Sequence, residues 1–404
     1  MTLSRTALRE DVARAFGLGR PPTTPLVGLE VEAIPVDDVT GRPLPVARTL
    51  RALGALNWPS HVSDKSGVPE FRPADGARVT FEPGGQIEYS SAPQRSGSVL
   101  LADVEGALAA IAEALAPERC SLLFAGLDPS TPITEVPLQL DAERYRRMDA
   151  YFASRGPAGR RMMRQTASIQ LCIDAGDAPI ERWRLLASLA PVAAAMFANS
   201  PFDSGVFTGE RSRRRRIWSE LDPARTGLRA LGGDPVQEYF EFALEAPAFL
   251  LGNDPQRAEP FEAWIARGAA HDDWLAHLST LFPDVRPRGY FEFRVADAVA
   301  GDALPALVAL VAGIAWHSPS AAAARRMLPR PDESLMVRAA RAGLGDPVLA
   351  DAALSTSTLA LEACLSLGLP LLDDTDTARA RRFFESYTSC GRSPADDARA
   401  PAAA

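Results

Sequence analysis

An α+β fold, built on a largely antiparallel β-sheet with one face packed on helices and the other left open, is what this sequence predicts. Three observations carry the prediction. Four segments alternate polar and apolar residues with period 2, helical segments follow these strands instead of alternating strictly with them, and the polar sides of the strands are rich in carboxylate and arginine.

Composition bounds the reading. With 404 residues and 47% hydrophobic content, the chain can bury a substantial core, in one large domain or two ordinary ones. A net charge of −8 and a pI near 5.3 argue against a general nucleic-acid or anionic-membrane partner. No apolar run reaches the roughly 20 residues of a membrane helix; the most apolar segment is Leu304 to Trp316. At the N-terminus Arg5, Arg9 and Arg14 mix with Glu10 and Asp11 without an apolar h-region, which predicts a cytoplasmic protein with no secretory signal. Cys120, Cys172, Cys364 and Cys390 lack CxxC spacing and are expected as reduced thiols. Of the 43 basic residues only Lys65 is a lysine, and it sits in DKSG, so the commonest phosphate cradle is absent. Schiff-base chemistry would rest on that one residue. Any phosphate handling falls to arginines and metal ions.

The elements follow in chain order. Ala7 to Phe16 reads as a short amphipathic helix stopped by Gly17, Gly19 and Pro21-Pro22. Leu26 to Val36 alternates as a strand, placing Gly28, Glu30 and Glu32 on one face and Leu29, Val31 and Ala33 on the other. Taken alone, an exposed strand face explains those carboxylates as well as a functional pair does. Residues 37 to 78 read as loops, with His61 structural or solvated. Val79 to Ser91 is a hairpin around Pro83-Gly84-Gly85, where proline presets one backbone angle and glycine accepts the positive φ of a tight turn. Thr80, Glu82, Gln86 and Glu88 share its polar face, while Val79, Phe81, Ile87 and Tyr89 form the apolar one.

Ser98 to Ala116 carries Leu100, Leu101, Val104, Leu108, Ile111 and Leu115 at helical spacing and should cover the sheet. Ser121 to Pro129 reads as a buried strand entering a turn, and Asp141 to Ala153 as a short helix. Thr166 to Asp174 alternates again, with Arg164 just before it, and Glu181 to Asn199 is a long apolar helix. Gly205 to Gly233 is the most charged segment, with five arginines between Arg211 and Arg216. Such a run is usually a solvated face or flexible loop. Trp274 to Phe282 is a short helix, and Tyr290, Glu292 and Arg294 alternate with Phe291, Phe293 and Val295 in a further strand, for which a cross-strand ion pair is the plain explanation. From about residue 303 the chain is alanine-rich and helical, forming with the rest a single catalytic domain over 1–391. Residues 392–404, rich in Ala, Pro and Asp, are expected to be a disordered tail.

Together the strands would gather Glu30, Glu32, Glu82, Gln86, Glu88 and Glu292 on the open face, with Arg164 and Arg294 beside them. Oxygen-rich sites without clustered His or Cys suit Mg²⁺ or Mn²⁺ over zinc. Arginines at the rim then point to a nucleoside triphosphate bridged through the metal.

The same residues carry a resemblance. GLEVE, EPGGQIEYS, MRQTASIQ, ANSPF, IWSELDPARTG and HLSTLFPDVRPRGYFEFR resemble, in order, the motifs of the plant-type glutamate–cysteine ligases, above all the short bacterial members of ergothioneine or glutathione synthesis. The match spans roughly Leu26 to Asp297. It implies a glutamine-synthetase-like catalytic sheet and an ATP- and Mg²⁺-dependent ligase with small-molecule substrates, namely glutamate, cysteine and ATP. It also implies Glu30, Glu32, Glu82, Glu88 and Glu292 as metal ligands. The γ-carboxylate of glutamate would attack the γ-phosphate of ATP, and the cysteine amine the resulting γ-glutamyl phosphate. Metal ions and arginines offset the repulsion between these anions. Arg294 and Arg225 are the candidate catalytic arginines, and Arg164, Gln86, Arg213, Arg216 and Trp218 the candidates for substrate or ATP binding. Trp218 is either a loop anchor or part of that pocket. A related carboxylate–amine ligase with a different amine, a two-metal phosphohydrolase and a non-catalytic binding module are the competing readings.

Overall fold

The computed structural model describes residues 3–20, 24–64, 66–74, 76–227 and 232–398. Lys65, at which the sequence reading placed the only lysine, lies outside the described residues.

Alternation of small and branched apolar residues makes β1 (Val27–Asp37) a long strand, and its length lets it act as the hub of the sheet. After it come β2 (Ser60–Val62), β3 (Pro69–Phe71), β4 (Arg78–Phe81), β5 (Ile87–Ser90), β6 (Cys120–Leu123) and β7 (Ser168–Asp174). A short ribbon, β8 (Phe202–Asp203) with β9 (Val206–Phe207), precedes β10 (Val285–Pro287) and β11 (Tyr290–Asp297). The main sheet has nine strands in the order β10-β11-β7-β1-β5-β4-β3-β2, with β6 pairing on the far end of β1. Every pairing in it is antiparallel. This is the α+β architecture the alternation predicts.

One face of the sheet is apolar and sealed. Leu29, Val31, Val79, Tyr89, Ile169, Leu171, Phe291 and Phe293 are all buried, beneath the helices Gly97–Leu115 and Pro179–Met196. Ser96 caps the first of these by accepting from the Val99 N–H. A single apolar cluster runs from Leu8 through the sheet to Phe383 and Phe384 near the C-terminus. Among its members is the helix Pro347–Leu367, which by length and composition could cross a membrane, correcting the expectation that no segment is long and apolar enough. Its Leu349, Ala353, Thr356 and Ala360 are buried, against Pro179–Met196 and Ala309–Gly313.

Three local expectations change. The loops expected between 37 and 78 contain the helix Val46–Leu53 and the three-residue strands β2 and β3, too short to show a period. The arginine run is neither loop nor solvated face. Ser212 caps a helix, Arg213–Leu221, and Arg214 and Arg215 are buried. The chain from Arg392 was expected to be loose, yet as far as Ala398 it is docked: Ser393 is buried, Ala395 N–H donates to the Ala198 carbonyl, and Asp396 pairs with Arg211 at 2.9 Å. The remaining tail, 399–404, lies outside the described residues.

Candidate active site

Register decides which side chains meet on the other face. Across β4, β5 and β1, Thr80 pairs with Glu88 and Glu88 with Glu32. One step along, Ser90, Glu30 and Gln170 line up across β5, β1 and β7. A third row joins Cys172 of β7 to Glu292 of β11 and Glu292 to Arg286 of β10. Because residues two apart share a face, carboxylates from four sequence regions converge.

The hairpin supplies the fourth. Glu82 N–H donates to Gln86 O at 2.8 Å and Gly85 N–H to Glu82 O at 2.8 Å, closing the three-residue turn expected from Pro83-Gly84-Gly85. Gly85 has φ +89°, which a side chain would resist.

The carboxylates are not equivalent. Glu32 accepts from the Ser168 N–H at 2.7 Å and from Gln170 Nε2 at 2.9 Å, and Glu88 accepts from Thr80 and Ser90 hydroxyls at 3.1 Å each. Burial raises both carboxyls, with Glu32 adding to the effect on Glu88 and Arg214 opposing it on Glu32. Glu82 is pushed well above the ordinary range by burial and then by Glu88 and Glu32. Burial, Glu88 and Glu292 bring Glu30 up to about 7 against the pull of Arg294 and Arg286. Glu292 is the exception. Burial alone would raise it, but Arg286, Arg294 and Arg288 outweigh that and hold it near 2. Arg286 donates to its Oε2, and Arg288 reaches Oε1 at 3.1 Å. The side of the face over β10 and β11 is therefore cationic, and the side over β4 and β5 anionic.

Two cavities open here. One, of about 330 Å³, runs from Glu30, Glu32, Glu82 and Glu88 past Arg286, Arg288 and Arg294 to Arg144 and Trp218. Its neighbour, of about 420 Å³, is walled by Leu26, Val27, Pro93, Cys172, Ile173 and Tyr290. Glu30 and Arg78 belong to both.

Residues 26–403 match the family described as glutamate–cysteine ligase family 2. The chain belongs to that family. Glutamate–cysteine ligase EgtA of Mycolicibacterium smegmatis is 34% identical to it over 391 residues, 92% of this chain and 86% of that protein. EgtA of Mycobacterium tuberculosis is 33% identical over 80% of this chain and 76% of its own length. The chloroplastic glutamate–cysteine ligase of Medicago truncatula is 30% identical over 60% of this chain and 51% of its own. A solved structure of glutamate–cysteine ligase from Francisella tularensis in complex with AMP shares the fold, with a TM-score of 0.55 at 13% identity, over 93% of this chain and 84% of that one.

In this family 2 chain the predicted residues divide. Glu30, Glu32, Glu82, Gln86, Glu88, Trp218 and Arg294 all line the carboxylate-lined cavity. Glu292 is buried beneath it as the counter-ion of three arginines, with both oxygens engaged, an arrangement unlike the metal ligand expected. Gln86 spends its amide on the scaffold, accepting from the Gly84 N–H at 3.0 Å and donating to Thr166 O at 2.9 Å. Trp218 is an anchor as well as a wall, with Nε1 donating to Phe282 O at 3.2 Å.

Four arginines lie elsewhere than expected. Arg164 turns from the face to pair with Asp149 and donate to Val136 O at 3.0 Å. Arg225 is fully buried against the rings of Tyr151 and Phe249, and donates to both oxygens of Thr280 and to Pro247 O. Arg213 and Arg216 share Glu210 and Glu220 on the outer side of their helix. None of the four lines either cavity. The arginines that do, besides Arg294, are Arg78, Arg144, Arg286 and Arg288 in the carboxylate-lined one, and Arg20 and Arg78 in its neighbour. Arg286 and Arg288 had a readable signal, standing two apart before a strand with Glu292. Arg144, a single arginine on a helix rich in them, had none.

Proposed function

We propose that the open face joins glutamate to cysteine at the expense of ATP, through γ-glutamyl phosphate, giving γ-glutamylcysteine for ergothioneine or glutathione synthesis in the cytoplasm. One observation carries the reading: four carboxylates that pair with no arginine among the described residues, Glu30, Glu32, Glu82 and Glu88, face a cluster of arginines across one concave surface. Carboxylates held above their ordinary range by burial and then by one another favour a bound cation. All four offer hard oxygen donors. Among the described residues no three acidic, His or Cys groups form a ready-made cage. This suits Mg²⁺, which is usually held by one or two carboxylates together with substrate phosphates. When bound, such an ion neutralises phosphate charge and aligns the phosphoryl group with its acceptor.

The chain's own residues supply the rest. Arg294, fixed beside Gln170 and Glu292, lies where negative charge develops on the transferring phosphoryl group and stabilises it without reorganising. Arg286 and Arg288 hold the carboxylates of glutamate or the leaving phosphate. The apolar walls and size of the neighbouring cavity across Glu30 suit the purine and ribose of ATP, with the phosphates reaching over Glu30 toward Glu32 and Glu88. Residues 1–391 act as one catalytic unit, supported by the continuous apolar cluster.

The test is direct. Purified protein with ATP, Mg²⁺, glutamate and cysteine should release ADP and form γ-glutamylcysteine in equal amounts. ADP release without any amide would point instead to a phosphohydrolase, and turnover that ignores cysteine but needs another amine to a related carboxylate–amine ligase. No ADP release across a broad set of amines would end the reading.

A further inference from the structure

The strand that carries Arg294 is not regular. Phe293 of β11 pairs with Leu171 of β7, but Ala296 pairs with Ile169, so Arg294 and Val295 together stand opposite the single residue Gln170. This is a β-bulge, which bends a strand and re-aims its side chains. Arg294 donates to Gln170 Oε1, and Gln170 Nε2 in turn donates to Glu32 at 2.9 Å. Beyond the bulge the alternation is reversed. Asp297 pairs with Ser168, a residue of the open face, whereas unbroken alternation from Arg294 would turn it toward the helices.

A bulge leaves backbone groups outside the ladder, and buried groups of that kind need partners from elsewhere. Here they come from the helix Arg213–Leu221. Arg214 donates to Arg294 O at 2.9 Å and to Val295 O and Ala296 O at 3.3 Å each. Arg215 donates to Asp284 Oδ1 at 2.6 Å, and the Asp284 carbonyl accepts from the Arg294 N–H at 3.0 Å. Both backbone groups of Arg294 are thus tied to consecutive residues of one helix. Asp297 holds that helix in place. Its Oδ1 accepts from the hydroxyl of Ser212, the N-cap, at 2.9 Å, and its Oδ2 from the Ser200 hydroxyl at 2.7 Å and the Asn199 N–H at 2.8 Å. Ser200 Oγ accepts from the Arg214 N–H at 3.1 Å, and Arg214 Nη1 lies 3.6 Å from Asp297 Oδ1. A carboxylate at a helix N-terminus also meets the positive end of the helix dipole. Asp297 is buried and lines neither cavity.

From this geometry we infer that Asp297 is a positioning residue: it latches the N-terminus of the helix Arg213–Leu221 against the β11 bulge, and the latched helix fixes the backbone from which Arg294 reaches the transferring phosphoryl group. The inference rests on the ligase reading and on the role that reading gives Arg294. Asp297 touches no reactant, so its effect on rate passes through Arg294. A misplacement of about 1 Å at a reacting centre lowers the rate by roughly 10²-fold.

The experiment measures ADP release by the full chain with ATP, Mg²⁺, glutamate and cysteine, for Asp297→Asn, Arg294→Lys and the double variant. Asp297→Asn keeps the side-chain shape and one acceptor oxygen, and turns the other into a donor that faces donors. Its kcat should fall by about 10- to 100-fold, with KM for ATP and cysteine within about twofold of wild type. On the Arg294→Lys background the same change should lower kcat by less than about twofold, because residues that act as a unit are not additive. If Asp297→Asn does not fold, Ser212→Ala removes one hydrogen bond of the latch and should show the same pattern on a smaller scale, a several-fold fall in kcat that disappears on the Arg294→Lys background. Equal falls on the two backgrounds, or a folded Asp297→Asn variant with wild-type kcat, would overturn the latch while leaving the ligase reading intact. Absence of ADP release by the wild-type chain with every amine would instead remove the ligase reading, and the latch with it.

Discussion

Glu32 and Glu88 stand directly opposite each other on β1 and β5. Like charges at such a position destabilise a sheet, and here burial adds to the cost, raising both carboxyls. Hydrogen bonds from Ser168, Gln170, Thr80 and Ser90 orient the pair without supplying positive charge. The fold thus holds an electrostatic conflict at its centre that a cation and its triphosphate would resolve.

Glu88→Gln tests that conflict. It removes one charge while its amide oxygen still accepts from Thr80 or Ser90. Ligand-free protein should gain about 1 kcal/mol of stability in urea unfolding, and turnover should drop at least about 100-fold. Stability and activity would then move in opposite directions. A variant that is as active as wild type would take Glu88 out of the site.

Arg225 makes the contrasting case. Its guanidinium is enclosed by Tyr151, Phe249, Thr280 and Pro247 and reaches neither of the two cavities. Arg225→Met leaves the Thr280 and Pro247 carbonyls without their donor, at a cost of roughly 3 kcal/mol. The fraction that remains folded should bind ATP and glutamate with KM values within about twofold of wild type. Paired measurement of unfolding and steady-state kinetics separates this from a direct role, which would change kcat with little change in stability.

These two residues show what could be read from sequence. Glu88 was legible because period 2 assigns it to a face, and the face to a set of strands, before any pairing is known. Arg225 sits in a recognisable DPxRxG motif, but a motif marks a residue as required without saying whether chemistry or packing requires it. The arginine run misled for a related reason. Charge density along the chain suggests solvent, whereas Arg214 and Arg215 are buried through Asp297 and Asp284, some 70 to 80 positions away, at 3.6 and 2.6 Å. The antiparallel sheet was visible because its long strands alternate. The strands β2 and β3 have three residues each and carry no period to find.

Acid should expose a different buried group. His277 stacks on Phe261 and donates from Nε2 to the Ala243 carbonyl at 2.8 Å. Burial, and then Arg225, lower it from 6.5 to about 3. The unfolded chain therefore binds a proton that the folded chain refuses, so this contribution is complete above pH 6.5 and is lost as pH falls toward 3. The slope is about 1.4 kcal/mol per pH unit. His277→Gln, which keeps a donor toward Ala243, should flatten the fall in urea midpoint between about pH 6.5 and 5. An acid limb as steep as in wild type would assign the loss to other groups.

The turn of the β4–β5 hairpin sets where Glu82 and Glu88 stand, and it is wedged on two sides. A Cβ on Gly84 would run into the backbone of Arg164. On the other side Gln139 Nε2 donates to Gly84 O at 2.6 Å and to Leu44 O at 3.2 Å. The nearest obstruction to Gly84→Ala is main chain and cannot rotate away, so either the turn or the end of the helix Ala158–Gln165 must move. The expected cost is about 3 kcal/mol or more. Because Gln86 ties the same turn to Thr166, the displacement should also part Glu82 from Glu32 and abolish turnover even in protein that remains folded. Gly106→Ala is the control. It lies on the exposed side of the helix Gly97–Leu115 with nothing within 4 Å of the added carbon, and should gain about 0.5–1 kcal/mol by restricting the unfolded chain. Urea unfolding of both variants alongside ADP release decides the matter: equal stability in the two would mean the wedge yields, and the hairpin would not be what spaces the carboxylates.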